Sequence, residues 1–291
     1  MTGALTSIRS LSQNRASPPT IGRLLISHIT LRGPEIKQLH SFITATSGVA
    51  YHELAEWFVP GWRPDSAFSL EEATLREALN FLLLAGLVRQ QGESRRKANF
   101  RAVALYEGAP FELKLLWAVR CQADERQQAI WLVHRQLVTR DVLAISAAEL
   151  RDELERGPYA RLFTWTGEKI NFWSQLSSFL GLIHRPDRSP ELLIAPTPSL
   201  LCQALSWALD GSPQRHSLAT PLHRVNESLF SCFTERGRVH TGLSNSLIAL
   251  HRLGTIRLSH SADAANSLLL GAWRVSDIEL SPALPVSGGT R

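Results

Sequence analysis

Basic side chains concentrate between residues 89 and 101 of the sequence. Arg95, Arg96 and Lys97 are consecutive, and Arg89 and Arg101 lie on either side of them. A guanidinium group presents several N–H donors in one plane and can bind phosphate oxygens in pairs, so an arginine cluster suits contact with a nucleic-acid backbone. An ordinary solvated turn is the alternative interpretation. The stretch predicts a phosphate-contact site.

Polar side chains also occur in the first turns of three predicted helices, where they could contact base edges. Asn and Gln are suited to paired hydrogen bonds with adenine. The candidate positions are Thr74, Arg76 and Asn80 in the first helix, Lys169, Asn171 and Gln175 in the second, and Asn245, Ser246 and His251 in the third.

The turns that follow these helices differ in charge. The second turn carries Arg185 and Arg188. The third, residues 261–266, has no basic residue and contains Asp263, which would repel phosphate. The first helix and its turn are therefore the strongest DNA-binding candidate, and the third are the weakest.

Enzyme signatures are missing from the sequence. It contains no G-x-x-x-x-G-K-[ST], G-x-G-x-x-G, H-E-x-x-H or G-x-S-x-G motif, and its ten histidines are scattered. Asp152, Glu153 and Glu155 lie beside Arg151 and Arg156, a pattern typical of an ion-paired helix face. We therefore expect a non-enzymatic protein without a cofactor or metal.

The candidate helices share one succession of elements. Ser69 and Glu72 have the S-x-x-E spacing of a capping box, and Gly86 ends the apolar periodicity that follows. An extended run, the basic turn and a second extended run come next. The succession occurs three times, with its glycine-led strands at Gly86-Leu87-Val88, Gly181-Leu182-Ile183 and Gly254-Thr255-Ile256.

This succession resembles the recognition helix and wing of winged-helix proteins. The resemblance implies an α+β fold, mainly α with small β-hairpins, that contains three winged-helix-like modules in tandem. The predicted division is a flexible basic arm (1–19), module 1 (20–107), a helical linker with module 2 (108–212), module 3 (213–280) and a flexible tail (281–291).

Composition sets broad limits on function. The net charge is +5 and the pI about 9.5, and 27 of the 31 basic residues are arginine. This charge permits binding to nucleic acid, although a GC-rich genome would also favour arginine. No apolar run approaches the ~20 residues of a membrane span, and the three cysteines form no C-x-x-C pair. These features predict a cytoplasmic protein without a membrane role.

Three modules without a sensor domain are similar to accessory subunits that act beside ATPases in chromosome maintenance or anti-phage defence. The chain also resembles the DpdG proteins, which are encoded with 7-deazapurine DNA-modification clusters, without sharing a diagnostic motif. The first hypothesis is an accessory subunit that binds double-stranded DNA. The alternatives are a docking scaffold for an ATPase or nuclease with little DNA contact, and a transcriptional repressor that dimerises on a palindrome.

Some finer expectations depend on single elements. Ile21–Thr30 and Val225–Thr234 are predicted helices, and Ser267–Leu270 is the predicted return strand of the third turn. Trp62, within a proline-rich loop, is the tryptophan expected to be most exposed, where it could anchor a partner.

Overall fold

A computed structural model of the protein describes residues 24–64, 69–92, 98–104, 108–186, 189–261 and 266–281. These residues form an α+β fold with ten α-helices and ten short strands. The predicted arm 1–19, the turn residues Arg95, Arg96 and Lys97, Arg188, residues 262–265 of the third turn and most of the predicted tail lie outside the described residues.

The helices are longer than the strands and supply most of the regular secondary structure. The helices are α1 (Gly33–Ala45), α2 (Tyr51–Phe58), α3 (Leu70–Ala85), α4 (Phe111–Arg120), α5 (Ala129–Thr139), α6 (Ala147–Arg156), α7 (Gly167–Phe179), α8 (Pro198–Ala208), α9 (Ala219–Ser228) and α10 (Thr241–Arg252). The strands are β1 (Val49–Ala50), β2 (Val88–Gln91), β3 (Asn99–Ala102), β4 (Ala144–Ser146), β5 (Glu191–Leu193), β6 (His216–Ser217), β7 (Ile256–Ser259), β8 (Leu268–Leu270), β9 (Trp273–Val275) and β10 (Asp277–Leu280).

Local sequence signals set several helix ends. The Ser69 hydroxyl accepts a hydrogen bond from the Glu72 amide at the start of α3, and Gly86 ends that helix with a φ of 75°. Ser146 and Glu149 form the predicted capping box of α6, and Thr197 caps α8. These ends were predictable because each depends on residues within a few positions of one another.

The same order of elements occurs three times: a helix, a strand, two helices and then further strand, with two strands in the first unit, one in the second and four in the third. We call residues 24–104 the first unit, 129–195 the second unit and 198–280 the third unit. Their antiparallel sheets have the strand orders β1-β3-β2, β4-β5 and β6-β10-β7. In the second unit the strand that directly follows α7 is reduced to a bridge between His184 and Leu193 of β5, beside the β4-β5 pair.

One continuous apolar core runs through the three units. Helix α4 packs against α3, α5 and α8, so it contacts a helix of every unit. Two glycines allow close approaches between units. A Cβ on Gly33 would overlap the ring of Phe179, and a Cβ on Gly242 would overlap the carbonyl oxygen of Ile194. Only glycine leaves room for these contacts.

Three finer expectations are wrong. The predicted helix Ile21–Thr30 is, among the described residues, a 3-10 turn at Leu25–Ser27. The predicted helix Val225–Thr234 instead runs from Ala219 to Ser228, because the Asn226 side chain accepts the Cys232 amide and closes the chain into a turn. Trp62 is half-buried against the core, whereas Trp57 is 74% exposed.

The predicted return strand of the third turn also has a different partner. Residues 268–270 form β8, which pairs with β9 as a separate hairpin. The strand that pairs with β7 is β10, with Ile278 opposite Leu258. The third unit therefore has an extra hairpin inserted between β7 and β10. Because β8 follows β7 closely in the chain, the sequence had suggested that these two strands pair.

Candidate nucleic-acid interface

The β2–β3 hairpin places two of the predicted arginines directly opposite each other. Arg89 and Arg101 are cross-strand partners, and both side chains are exposed. Directly opposed residues point to the same face of a sheet, and like charges there are destabilising. Among the described residues, neither arginine has a carboxylate within ion-pair distance. The hairpin therefore presents two uncompensated positive charges side by side.

The opposite face of this hairpin holds it on the first unit. Phe100 is fully buried and stands opposite Val49 on the neighbouring strand. Gly48, with a φ of 133°, lies beneath the Arg101 side chain, and a Cβ there would come within 3.0 Å of Arg101 Nε. The arginine pair is thus carried by a fixed three-stranded sheet.

The predicted reading positions on α3 are engaged inside the protein. Arg76 Nη2 donates to Glu72 Oε1 at 2.6 Å, and Arg76 Nε donates to the Tyr51 hydroxyl at 3.1 Å. The Thr74 hydroxyl donates to the Leu70 carbonyl at 3.1 Å, and Asn80 is half-buried. Burial also raises the pKa of Tyr51, so its phenol stays neutral. Arg76 is neutralised by Glu72 and is unsuited to phosphate contact.

Neighbouring elements cover most of α3. Glu77 lies 3.4 Å from His28 Nδ1, the ring of Phe81 packs edge-on against Phe172 of α7, and the Gln122 side chain donates to the Ala85 carbonyl. Of the sixteen residues of α3, only Leu70 and Glu71 are exposed. The helix predicted to read bases in the first unit therefore presents little polar surface to solvent.

Helix α7 presents a clearer polar face. Asn171 and Gln175 are exposed one turn apart, and Gln175 Nε2 donates to Asn171 Oδ1 at 3.3 Å. Lys169 is different, because its Nζ donates to the Thr164 carbonyl at 2.6 Å and lies 4.7 Å from the centre of the Phe163 ring. Partial burial also lowers the pKa of Lys169. The two amides are accessible, whereas the lysine is held against its own unit.

The loop that follows α7 contributes one described arginine. Arg185 is exposed immediately after the His184–Leu193 bridge. It lies in the second unit, as the sequence predicted, and its position beyond a bridged residue corresponds to the base of a short hairpin. Its turn partner Arg188 lies outside the described residues.

The predicted positions on α10 are mostly unavailable. Ser246 is buried and donates to the Pro196 carbonyl at 2.8 Å, and His251 Nδ1 accepts the Leu258 amide at 3.2 Å. The start of the helix is occupied as well, because Asp141 accepts the Thr241 amide at 2.8 Å and the Thr241 hydroxyl at 3.0 Å. A carboxylate already fills the place where a phosphate would bind. Of the three predicted positions on α10, only Asn245 is exposed.

Potential metal ligands and the charges of an open cleft were compared over the part of the chain that the structure describes. No group of three metal-ligating residues is placed to hold a metal ion there. An open cleft of about 1070 Å³ lies beside α5 and α6, and two of the arginines that line it are paired, Arg140 with Glu153 and Arg156 with Asp152. The predicted ion-paired face of α6 is present, with Arg151 also 3.1 Å from Asp152.

The most perturbed histidines are buried among apolar groups. Burial lowers the pKa of His134 to about 3, and its ring packs edge-on against Phe230. Burial, together with the nearby Lys114, lowers the pKa of His40 to about 4. Both rings are neutral at physiological pH and belong to the core rather than to a reactive site.

Comparisons with known proteins identify no family for this chain. No protein-family model matches it, and no curated protein matches it. A magnesium-ion-bound SspB crystal structure is 11% identical with a TM-score of 0.31, and the alignment covers 88% of this chain and 82% of that one. A likeness at that TM-score carries no argument. Over the described residues, no helix is both long and apolar enough to cross a membrane.

Proposed function

We propose that the chain binds double-stranded DNA without catalysing a reaction, using winged-helix units in tandem. The repeated order of a helix, a strand, two helices and at least one further strand supports the winged-helix part of the proposal. On this proposal Pro198–Ala208 begins the third unit, because α8 packs against α9 and α10. The predicted boundary at residue 212 would then move to the loop before α8.

The opposed pair Arg89 and Arg101 is the observation that carries the DNA-binding proposal. Two like charges directly across a strand pair oppose folding, and a bound phosphate would relieve that repulsion. The sequence between the two arginines adds Arg95, Arg96 and Lys97. A hairpin that contacts the DNA backbone in this way would position the protein on the duplex without reading the base sequence.

The test is duplex binding by purified protein across a salt series. We expect the affinity of the unmodified protein to fall steeply between about 50 and 200 mM salt, because cations are released as phosphates are contacted. The double change Arg89→Glu and Arg101→Glu should reduce the slope of log affinity against log salt by about 2. It leaves a like-charged pair in place, so the electrostatic contribution of this pair to fold stability stays similar.

The matched control is the double change Arg236→Glu and Arg238→Glu. These arginines are also exposed, and the change in net charge is the same. We expect the control to bind duplex nearly as the unmodified protein does. Equal weakening in both double variants would mean that overall charge, and not the hairpin, determines binding. An unchanged affinity in the hairpin variant would contradict the proposal.

A docking scaffold for an ATPase or nuclease is the second candidate function. The observation that favours it is the coverage of α3, which leaves only Leu70 and Glu71 exposed on the helix that would read bases. A stable stoichiometric complex with such an enzyme, formed by protein that does not bind duplex at low salt, would support it. The repressor alternative and a role in DNA maintenance or defence stay predictions from the resemblance.

A further inference from the structure

Aromatic side chains of two adjoining helices in the first unit meet at the protein surface. Trp57 of α2 is 74% exposed, and its ring centre lies 5.6 Å from that of Phe42 on α1. The Phe42 ring also lies 5.5 Å from the Phe58 ring, edge to face, and both phenylalanines are half-buried against the core. Single exposed hydrophobic residues are normal, but a connected group of them marks an interaction site.

Two carboxylates share the exposed side of α2 with this tryptophan. Glu53 precedes Trp57 by one helical turn and Glu56 directly precedes it, and all three side chains are exposed. One Glu53 oxygen accepts the Ala50 amide at 2.7 Å, which fixes that side chain at the start of the helix. Over the described residues, neither glutamate has a basic partner within ion-pair distance, and α2 contains no lysine or arginine. Negative charge therefore lies beside an exposed indole ring.

An indole ring and a carboxylate attract the same kind of group. The face of the ring binds a guanidinium or ammonium group electrostatically, and the carboxylate pairs with that group through a charge-assisted hydrogen bond. The third unit contains this arrangement internally, because Arg224 lies 4.7 Å from the centre of the Trp207 ring and 3.1 Å from an Asp210 oxygen. At Trp57 the ring and the carboxylates are present, and the described part of the chain supplies no cation.

We propose that the surface formed by Phe42, Glu53, Glu56 and Trp57 docks a basic peptide segment of a partner protein. An arginine of that segment stacks on the Trp57 ring and pairs with a glutamate. The chain has a net charge of +5, so its overall charge does not attract a cationic peptide and binding depends on this local surface. Duplex DNA fits less well, because the two glutamates repel phosphate. The inference does not rest on the DNA-binding proposal.

The probe is a fluorescently labelled synthetic peptide of about ten residues, in which arginine alternates with serine, titrated with the full chain at about 150 mM salt. We expect saturable binding with a Kd in the range of about 10–100 µM. A second peptide with citrulline in place of arginine has nearly the same shape without the charge, and it should bind about tenfold more weakly. Equal affinity for the two peptides, or no binding of the arginine peptide, would overturn the proposal.

Substitutions of Trp57 test the role of the ring. Trp57→Leu keeps an apolar side chain without an aromatic face and should weaken the affinity about two- to fivefold, whereas Trp57→Phe should retain most of it. Trp273→Ala is the control, because that tryptophan is also partly exposed but lies in the third unit, and it should leave the affinity unchanged. Equal weakening by Trp273→Ala, or full affinity in Trp57→Leu, would contradict the proposed contact. Circular dichroism of each variant confirms that it is folded.

A double substitution tests the role of the carboxylates. Glu53→Gln with Glu56→Gln removes both charges, while the amide oxygen at position 53 can still accept the Ala50 amide and cap α2. The affinity for the arginine peptide should fall about two- to tenfold. Glu155→Gln with Glu168→Gln changes the net charge equally at exposed positions elsewhere and should have no effect. Equal weakening in both double variants would mean that overall charge governs binding, and the proposal would be wrong.

Discussion

The β2–β3 and β8–β9 hairpins carry different chemistry although each follows the third helix of a unit. In the first, Arg101 stands opposite Arg89, and no large apolar side chain of that hairpin is exposed within its described residues. In the second, Arg274 stands opposite Leu269, and Trp273 is half-exposed on the other face of the ribbon. The two hairpins are not equivalent elements, because β8–β9 is inserted between β7 and β10 and the described part of the first unit has no counterpart of it. The units thus differ in what is added to a shared order of helices.

The two hairpins also differ in how they are attached. The first belongs to a three-stranded sheet with the fully buried Phe100 on its central strand. The second is a two-stranded ribbon, and an isolated ribbon of two strands has little stability of its own. We therefore expect the first hairpin to be coupled to the fold of its unit and the second to tolerate changes more easily.

The largest expected effect tests that difference in attachment. Phe100→Ala should lower the free energy of unfolding by about 3–5 kcal/mol, since it removes a buried aromatic side chain and leaves a cavity. Trp273→Ala should cost about 1 kcal/mol or less, because half of that side chain already faces solvent. Denaturant unfolding of both variants measures this. Comparable losses would show that the ribbon is as tightly integrated as the sheet.

The next effect tests which of the two regions contacts duplex DNA. Changing Arg95, Arg96 and Lys97 to Glu should weaken duplex binding about 100-fold at low salt, because three predicted phosphate contacts become repulsive. Changing Arg252, Arg257 and Arg274 to Glu alters the net charge equally and should weaken duplex binding less than about threefold if the first hairpin is the contact. Titration of both triple variants with one duplex distinguishes them. The opposite ranking would place the duplex contact on the third unit.

A pH series tests whether duplex binding depends on titration. The pKa of His134 falls from 6.5 to about 3 in the folded protein. The unfolded chain therefore takes up the proton first as the pH drops below 6.5. Stability should be fully present above that pH and should decline below it by about 1.4 kcal/mol per pH unit for this histidine, until the pH approaches 3.

Arginine stays charged throughout this range, so duplex binding should be lost only as the protein unfolds. Unfolding curves at several pH values measure the decline in stability. The His134→Leu variant should lack the part of that decline that this histidine causes. Loss of duplex binding between pH 8 and 6.5, without loss of fold, would show that another titrating group takes part.

The smallest expected effect concerns the arginine pair alone. Arg89→Glu places a carboxylate directly opposite Arg101 and should raise the free energy of unfolding by about 0.2–1 kcal/mol. The same change should weaken duplex binding. The opposite signs would show that the pair is retained for binding at a small cost in stability. Thermal unfolding and duplex titration of this one variant are sufficient, and lower stability would refute the assumed repulsion.

Sequence reasoning found much of the secondary structure and part of the candidate site. Ser69, Ser146 and Gly86 mark helix ends through contacts a few residues away, which a sequence displays directly. Arg89, Arg101, Asn171, Gln175 and Arg185 are exposed, as a binding role requires. The sequence did not predict the exposure of Trp57 or the separate β8–β9 hairpin, because both depend on which distant segment packs beside them.

The sequence alone determined the helix caps, the glycine-ended helices and the cluster of basic residues around the first turn. Each follows from local backbone chemistry or from composition. Tertiary structure decided which of those residues remain accessible. Arg76 is bound by Glu72 and Tyr51, Ser246 by Pro196, and the start of α10 by Asp141. Ser246 and the start of α10 are bound by residues far away in the chain, and those partners come close only when the units pack on one core. Even Arg76, whose Glu72 lies one helical turn away, meets Tyr51 only after α2 folds against α3.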